Sequence, residues 1–196
     1  MPLYTPDAFR EHDLARQHQL ICDYPLGLLI SARGDELRAT PLPFALDATR
    51  GPLGTLDAHL ARANDHWRDL DGTPVLVVFQ GPNTYISPGW YPSKAEHGKA
   101  VPTWNYVTVQ AHGVARIVDD EVWLRRHVER LTDAHEAGRE DRWRVDDAPA
   151  DYVAGMLKAI VGIEIEIRSL DGKWKVSQNR TLSDRQGVVD LSLIHI

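Results

Sequence analysis

The chain has 196 residues, enough for one domain, and its 43% hydrophobic content is ample for one sizeable core. Lys and Arg total 22 against 28 Asp and Glu, a formal charge of −6, which excludes a general attraction to polyanions, so that DNA binding would need a local basic patch. The sole cysteine, Cys22, excludes an internal disulfide, and no secretory leader or long apolar run is visible. A reduced cytoplasmic setting away from membranes is expected, with Cys22 as a small buried or half-buried hydrophobe.

Asp7, Phe9, Leu14 and Leu20-Ile21 predict an N-terminal helix over 7–21, ended by Pro25. Apolar segments at 26–32, 37–46 and 53–60 read as strands joined by tight turns, the first pair through Arg33-Gly34-Asp35. The run 74–79 has the continuous apolar character of a buried strand. From 104 to 118, Val107, Val109 and Ala111 alternate with Tyr106, Thr108, Gln110 and His112, which predicts a long strand bent at Gly113. Leu124, His127, Val128, Leu131 and His135 then fall at helical spacing, with acidic residues at the start and Gly138 past the end. A second helix opens at Pro149 and stops at Gly162, and Ile163, Ile165 and Ile167 alternate with charged residues as a strand with one wet face. Many short strands with a few helices predict a mainly β, antiparallel barrel decorated by peripheral helices, an α+β arrangement.

Ser183-Asp-Arg-Gln186 has the pattern of a capping box, so a last helix is expected to open there. Residues 191–196, Leu-Ser-Leu-Ile-His-Ile, give it an abrupt apolar end with no stop signal. Read back into codons they resemble the transposon adapter end of sequencing libraries. The expected organisation is thus one domain over 1–180, the start of a truncated helix over 181–190 and a foreign scar over 191–196. The other reading of the tail is a native apolar terminus packed on the body.

The nine histidines include no H-x-x-x-H or H-E-x-x-H pair, so no metal site is expected. The G-x-S-x-G elbow, the P-loop and G-x-G-x-x-G are absent, which removes support for serine hydrolase, phosphate-loop and Rossmann readings.

Five stretches carry a resemblance. They are Ala58-His-Leu-Ala-Arg-Ala-Asn-Asp-His-Trp67, Gly81-Pro-Asn-Thr-Tyr-Ile-Ser-Pro-Gly-Trp-Tyr91, Val101-Pro-Thr-Trp-Asn-Tyr106, Lys158-Ala-Ile-Val-Gly162 and Lys173-Trp-Lys-Val-Ser-Gln-Asn-Arg180. In order and spacing they resemble the PaiB family of FMN-binding split-barrel proteins, with Asp65 standing where the family usually has Pro. The resemblance implies a split barrel, FMN as cofactor, a homodimer with flavin between subunits, and negative transcriptional regulation. An FMN-dependent oxidoreductase of the wider split-barrel group is the alternative, and haem on the same barrel a third. No catalytic residue is assigned.

An FMN site must hold a phosphate of about −2 charge and a flat ring. If the site lies within 51–115, the phosphate partner comes from Arg62, Arg68, Lys94 or Lys99. Arg62 is preferred, because Ala63-Asn64 follow it as a loop whose amides could join its guanidinium; the competing reading pairs Arg62 with Asp65 or Asp69. His59 is a candidate hydrogen-bond partner of the flavin, or else a structural histidine. Of Trp67, Trp90 and Trp104, one is expected to stack on the ring, Trp104 first. Thr103, Asn105, Tyr85 and Ser87 supply polar groups near ring or phosphate, and Gln178 and Asn179 either reach the ring edge or form a plain loop.

Overall fold

A computed structural model describes residues 3–192, so most of the 191–196 tail lies outside the described residues. A 3-10 turn at Asp7–Phe9 and the short β1 (Arg10–Glu11) precede α1 (Leu14–Asp23). The helix expected from residue 7 starts later because Asp13 caps it, accepting from the amides of Ala15 and Arg16. Cys22, expected to be at least half-buried, is exposed on the outer side of α1, while Leu20 and Ile21 face inward.

β2 (Leu26–Arg33) and β3 (Glu36–Pro43) form a hairpin turned by Gly34, whose φ of 58° suits a residue without Cβ. β4 (Ala45–Asp47), β5 (Thr55–Ala61) and β6 (Pro74–Ile86) follow. Next come α2 (Ser93–His97), β7 (Thr103–Val118), α3 (Glu121–Glu136), α4 (Ala150–Lys158), β8 (Ile160–Lys175) and α5 (Leu182–Ser192). One antiparallel sheet runs in the order β3-β2-β6-β7-β8-β5-β4, with β1 added on β8. The architecture is the expected mainly antiparallel barrel with helices around it. Leu29, Val77, Phe79, Val109, Ile163, Ile165 and Ile167 from adjacent strands fill its interior, joined by Ile21 of α1. Fully burying each such side chain stabilises by about 1.5–3 kcal/mol.

β7 and β8 are the longest strands, and their register shifts between His112 and Gly113, where the bend was expected. A Cβ on Gly113 would stand 2.4 Å from the Glu166 carbonyl oxygen, so the strand can cross its neighbour there only as glycine. Two strands outrun their expected limits. β6 reaches Ile86 because a register shift between Gln80 and Asn83 absorbs Gly81-Pro82, and β8 continues through Asp171-Gly172 to Lys175. Beyond those points β6 and β7 extend as a tip, with Tyr85 opposite Trp104.

Outside the barrel, α3 and α4 pack on Val118 through Trp123, Leu124, Val153 and Leu157. Asp120 caps α3, accepting from the Trp123 amide at 2.7 Å. At the other end of β7, α5 seals the tip. Val188 packs on Ile86 and Tyr91, and Asp184 accepts from both the amide and the hydroxyl of Ser93. The cap of α5 is Thr181, whose hydroxyl takes the Asp184 amide at 3.2 Å, so the helix opens two residues before the expected cap, Ser183. Among the described residues no helix is long and apolar enough to cross a membrane.

Candidate functional site

β7 joins two regions that contain the candidate residues. At its first residues, where β8 has ended, Thr103, Asn105, Lys175, Ser177, Asn179 and Arg180 line a cleft of about 50 Å³ walled also by Tyr91 and Phe9. Lys175 reaches along the open edge of β7, donating to Thr103 Oγ1 at 2.6 Å and to the Trp104 carbonyl. Asn105 and Ser177 hydrogen-bond each other at 3.0 and 3.1 Å. Ser177 is the one described non-glycine residue at positive φ, 65°, a conformation that costs energy and turns the chain so that Asn179 and Arg180 face the same cleft.

The cleft is electropositive. The Arg180 guanidinium lies 4.8 Å from the centre of the Tyr91 ring, and among the described residues it makes no side-chain hydrogen bond. Burial lowers the Lys175 ammonium below the usual lysine range, and the neighbouring Lys173 and Arg180 push the same way. An anion entering here would relieve that repulsion. At about 30 Å³ per water the space holds one or two waters, so it excludes a flat tricyclic ring and would take only the outer oxygens of a phosphate.

Trp104 and Tyr85 stand apart from this cleft. Strand alternation places Trp104 on the opposite face of β7 from Thr103 and Asn105. Its ring packs edge-on to Tyr85, centroids 6.1 Å apart, and the two are 55% and 46% exposed, a large uncovered aromatic surface. Ser87 accepts from the Gly89 amide, and Gln178 folds onto its own loop, accepting from the Val176 amide and donating to the Trp174 carbonyl. Both are occupied in holding turns.

The other candidates lie near the far end of β7. Arg62 donates its Nη1 and Nη2 to the two carboxylate oxygens of Asp119 at 3.0 and 2.6 Å, and further bonds go to the carbonyls of Lys158 and Ile160. Its partner is thus Asp119, the residue after β7, rather than Asp65 or Asp69. That bidentate pair holds the Asp119 carboxyl below the usual range and takes the fork a phosphate would use. Asn64 accepts from the His66 amide, and Trp67 donates to the Arg62 carbonyl while Arg68 lies over its ring at 4.9 Å. His59 is half-buried between strand and helix, with Nδ1 3.1 Å from Nε2 of His127 on α3. Trp90 lies against the Ile86–Val188 cluster.

The structure therefore gathers Thr103, Asn105 and Asn179, and adds Lys175 and Arg180, which the sequence reading passed over. Both lie in the stretch 173–180 that carries the resemblance, outside the segment 51–115 in which the phosphate cation is expected. Two basic residues flanking Ser-Gln-Asn were the available signal.

The donor set of Arg180, Lys175, Thr103, Asn105 and Asn179 suits a phosphate monoester, so the residues present fit FMN. Comparison with known proteins agrees. A family model described as "Putative FMN-binding domain" matches residues 3–169. An uncharacterized protein of Emericella nidulans is 34% identical, covering 95% of this chain and 89% of its own. The Protease synthase and sporulation protein PAI 2 of Bacillus subtilis is 27% identical, covering 96% and 88%. Among solved structures, the FAD and Heme binding protein from Mycobacterium smegmatis superposes with a TM-score of 0.62 at 17% identity, covering 85% of this chain and 73% of its own. A conserved hypothetical protein from Mycobacterium tuberculosis gives 0.60 at 15%, covering 91% and 93%. These two share the fold. By sequence and architecture together, the chain belongs to the PaiB-like family of FMN-binding split-barrel proteins.

Proposed function

We propose that the protein is an FMN-dependent redox protein of the cytoplasm that passes electrons to a small molecule, with the flavin phosphate held by Arg180, Lys175, Thr103, Asn105 and Asn179. The observation that carries the reading is the Arg180 guanidinium, which makes no hydrogen bond among the described residues, beside Lys175 in a small electropositive cleft. When bound, FMN supplies reversible one- or two-electron transfer. The chain's own residues bind and orient it. Lys175 keeps one of its three protons free after its bonds to Thr103 and Trp104, and Arg180 offers its whole fork.

Because Trp104 faces away from the cleft of its own chain, one protomer cannot bring both this cleft and its Trp104–Tyr85 pair to one flavin. A homodimer can. In that arrangement the exposed Trp104–Tyr85 pair of one subunit covers the flavin whose phosphate the other holds, excluding water from it. The second reading, negative transcriptional regulation in response to flavin or redox state, draws on the resemblance and on the Bacillus relative, but the formal charge of −6 gives DNA no general attraction.

An absorbance spectrum of purified protein tests the first step. Flavin bands that disappear from the protein fraction on denaturation are expected; a haem spectrum, or colourless protein that takes up no added FMN, would overturn the reading. Reduction by NADH or NADPH followed by turnover on an acceptor supports the redox role. Salt-sensitive, sequence-selective DNA binding without turnover would replace it with the regulator.

A further inference from the structure

The cleft between α3 and β5 has no part in the flavin reading. It encloses about 300 Å³, walled by Arg50, Asp57, Trp123, Arg126, His127 and Arg130, with Asp47 at its side. At about 30 Å³ per water it has room for a small organic acid. His127 is only 2% exposed, yet among the described residues its Nδ1 has no hydrogen-bond partner, and neither has the buried Nε of Arg130. Buried polar atoms are nearly always paired, so two orphans beside one cleft point to a missing occupant.

The orphaned nitrogen is also fixed in direction. The His127 ring stacks on Trp123 with centroids 5.1 Å apart and 17° between planes, and its Nε2 meets Nδ1 of His59 at 3.1 Å. With His59 donating to that nitrogen, His127 carries its proton on Nδ1 and presents an N–H. Burial keeps the imidazole neutral, its pKa down at about 3, so it offers a dipole rather than a charge. Charge comes from the arginines. Asp57 takes Nη1 and Nη2 of Arg50 and Nη2 of Arg130, and Asp47 stands 3.8 Å from Arg130. Arg50 is shared further with Glu164, but Arg126, one helical turn before Arg130, makes no ion pair among the described residues, so its charge is the one left for a ligand.

We propose that this cleft binds a small oxyanion, carboxylate or phosphate, through Arg126, Arg130 and the Nδ1–H of His127. The site is separate from the flavin cleft, and its test does not depend on flavin. Purified protein labelled with 15N at histidine is titrated with sodium phosphate and separately with sodium succinate at constant ionic strength, and flavin content is measured in parallel. A saturable shift of the His127 Nδ1 resonance with a rise in thermal midpoint is expected, weakened about tenfold in Arg126→Ala, which removes one charge-assisted contact. The Arg126 side chain is exposed and unpaired, so this variant keeps the fold. Saturation by succinate alone identifies a carboxylate ligand, and by phosphate alone a phosphate. No saturable shift with either anion up to about 10 mM, or equal shifts in wild type and variant, would leave the cleft a water pocket and overturn the proposal.

Discussion

Replacing Arg180 by Gln separates a phosphate-binding role from a packing role. The guanidinium rests on the Tyr91 ring and makes no hydrogen bond among the described residues, its only other partner being the longer-range attraction to the Asp184 carboxylate, so its removal should cost the fold little, about 0.5–1 kcal/mol for the cation–π contact. Against a dianionic phosphate the same side chain supplies charge-assisted hydrogen bonds worth about 1.5–3 kcal/mol. At about 1.4 kcal/mol per tenfold, FMN affinity should fall by about 10–100-fold. Riboflavin, which lacks the phosphate, should bind both proteins within about twofold of each other. Fluorescence quenching of each flavin on apo-protein gives both constants, and the thermal midpoint reports any loss of fold. Equal weakening of FMN and riboflavin, or unchanged FMN binding, would refute the assignment of the cleft.

Arg62→Ala should behave in the opposite way. It breaks the Asp119 pair and two carbonyl bonds, costing about 1–2 kcal/mol in urea unfolding, while the FMN to riboflavin affinity ratio stays at the wild-type value. Glu164→Gln should be the most damaging, at about 3 kcal/mol by the same measurement. This 9% exposed carboxylate takes Arg50, Arg116 and the Trp123 indole N–H, and its neutralisation weakens two charge-assisted pairs and a buried indole bond at once. For pH, burial lowers the pKa of His127 to about 3 and that of His59 below the usual value. Both are neutral in the fold and titrate near 6.5 when unfolded, so their stability is full above that pH and is lost as pH falls from it toward 3. His127→Gln should flatten the fall by up to about 1.4 kcal/mol per pH unit over that window, read from urea midpoints at several pH values.

Periodicity and turn chemistry carried much of the fold. The alternation around Val107 and Val109 and the Gly113 bend follow from side-chain direction and from the absence of a Cβ, which are local properties. Strand ends were less legible. The strand expected over 74–79 runs on past Gly81-Pro82, and the one expected through Ile167 past Asp171-Gly172, because a neighbouring strand supplies partners on the far side and pairing resumes. Cys22 is exposed because the α1 stripe is set by Leu20 and Ile21, a phase that one apolar residue cannot reveal. For the site, sequence could supply the residue types but not the pairing. Asp119 is distant in sequence from Arg62 and claims it only because β8 lies between β5 and β7. Likewise, Thr103 and Asn179 meet only because β8 runs antiparallel along β7 back to its start.

The docking of α5 bears on the lifetime of whatever the tip cleft holds. Ser177 to Thr181 is a short span tethered by β8 on one side and, on the other, by the Asp184 grip on Ser93 and by Gly187, where a Cβ would stand 2.2 Å from the Trp90 carbonyl. Arg180 is therefore held in place from both sides. Partial detachment of α5 would slacken that span while the barrel stays folded. Ligand dissociation and helix undocking would then share one opening step, and hydrogen exchange at α5 amides would slow in proportion to occupancy.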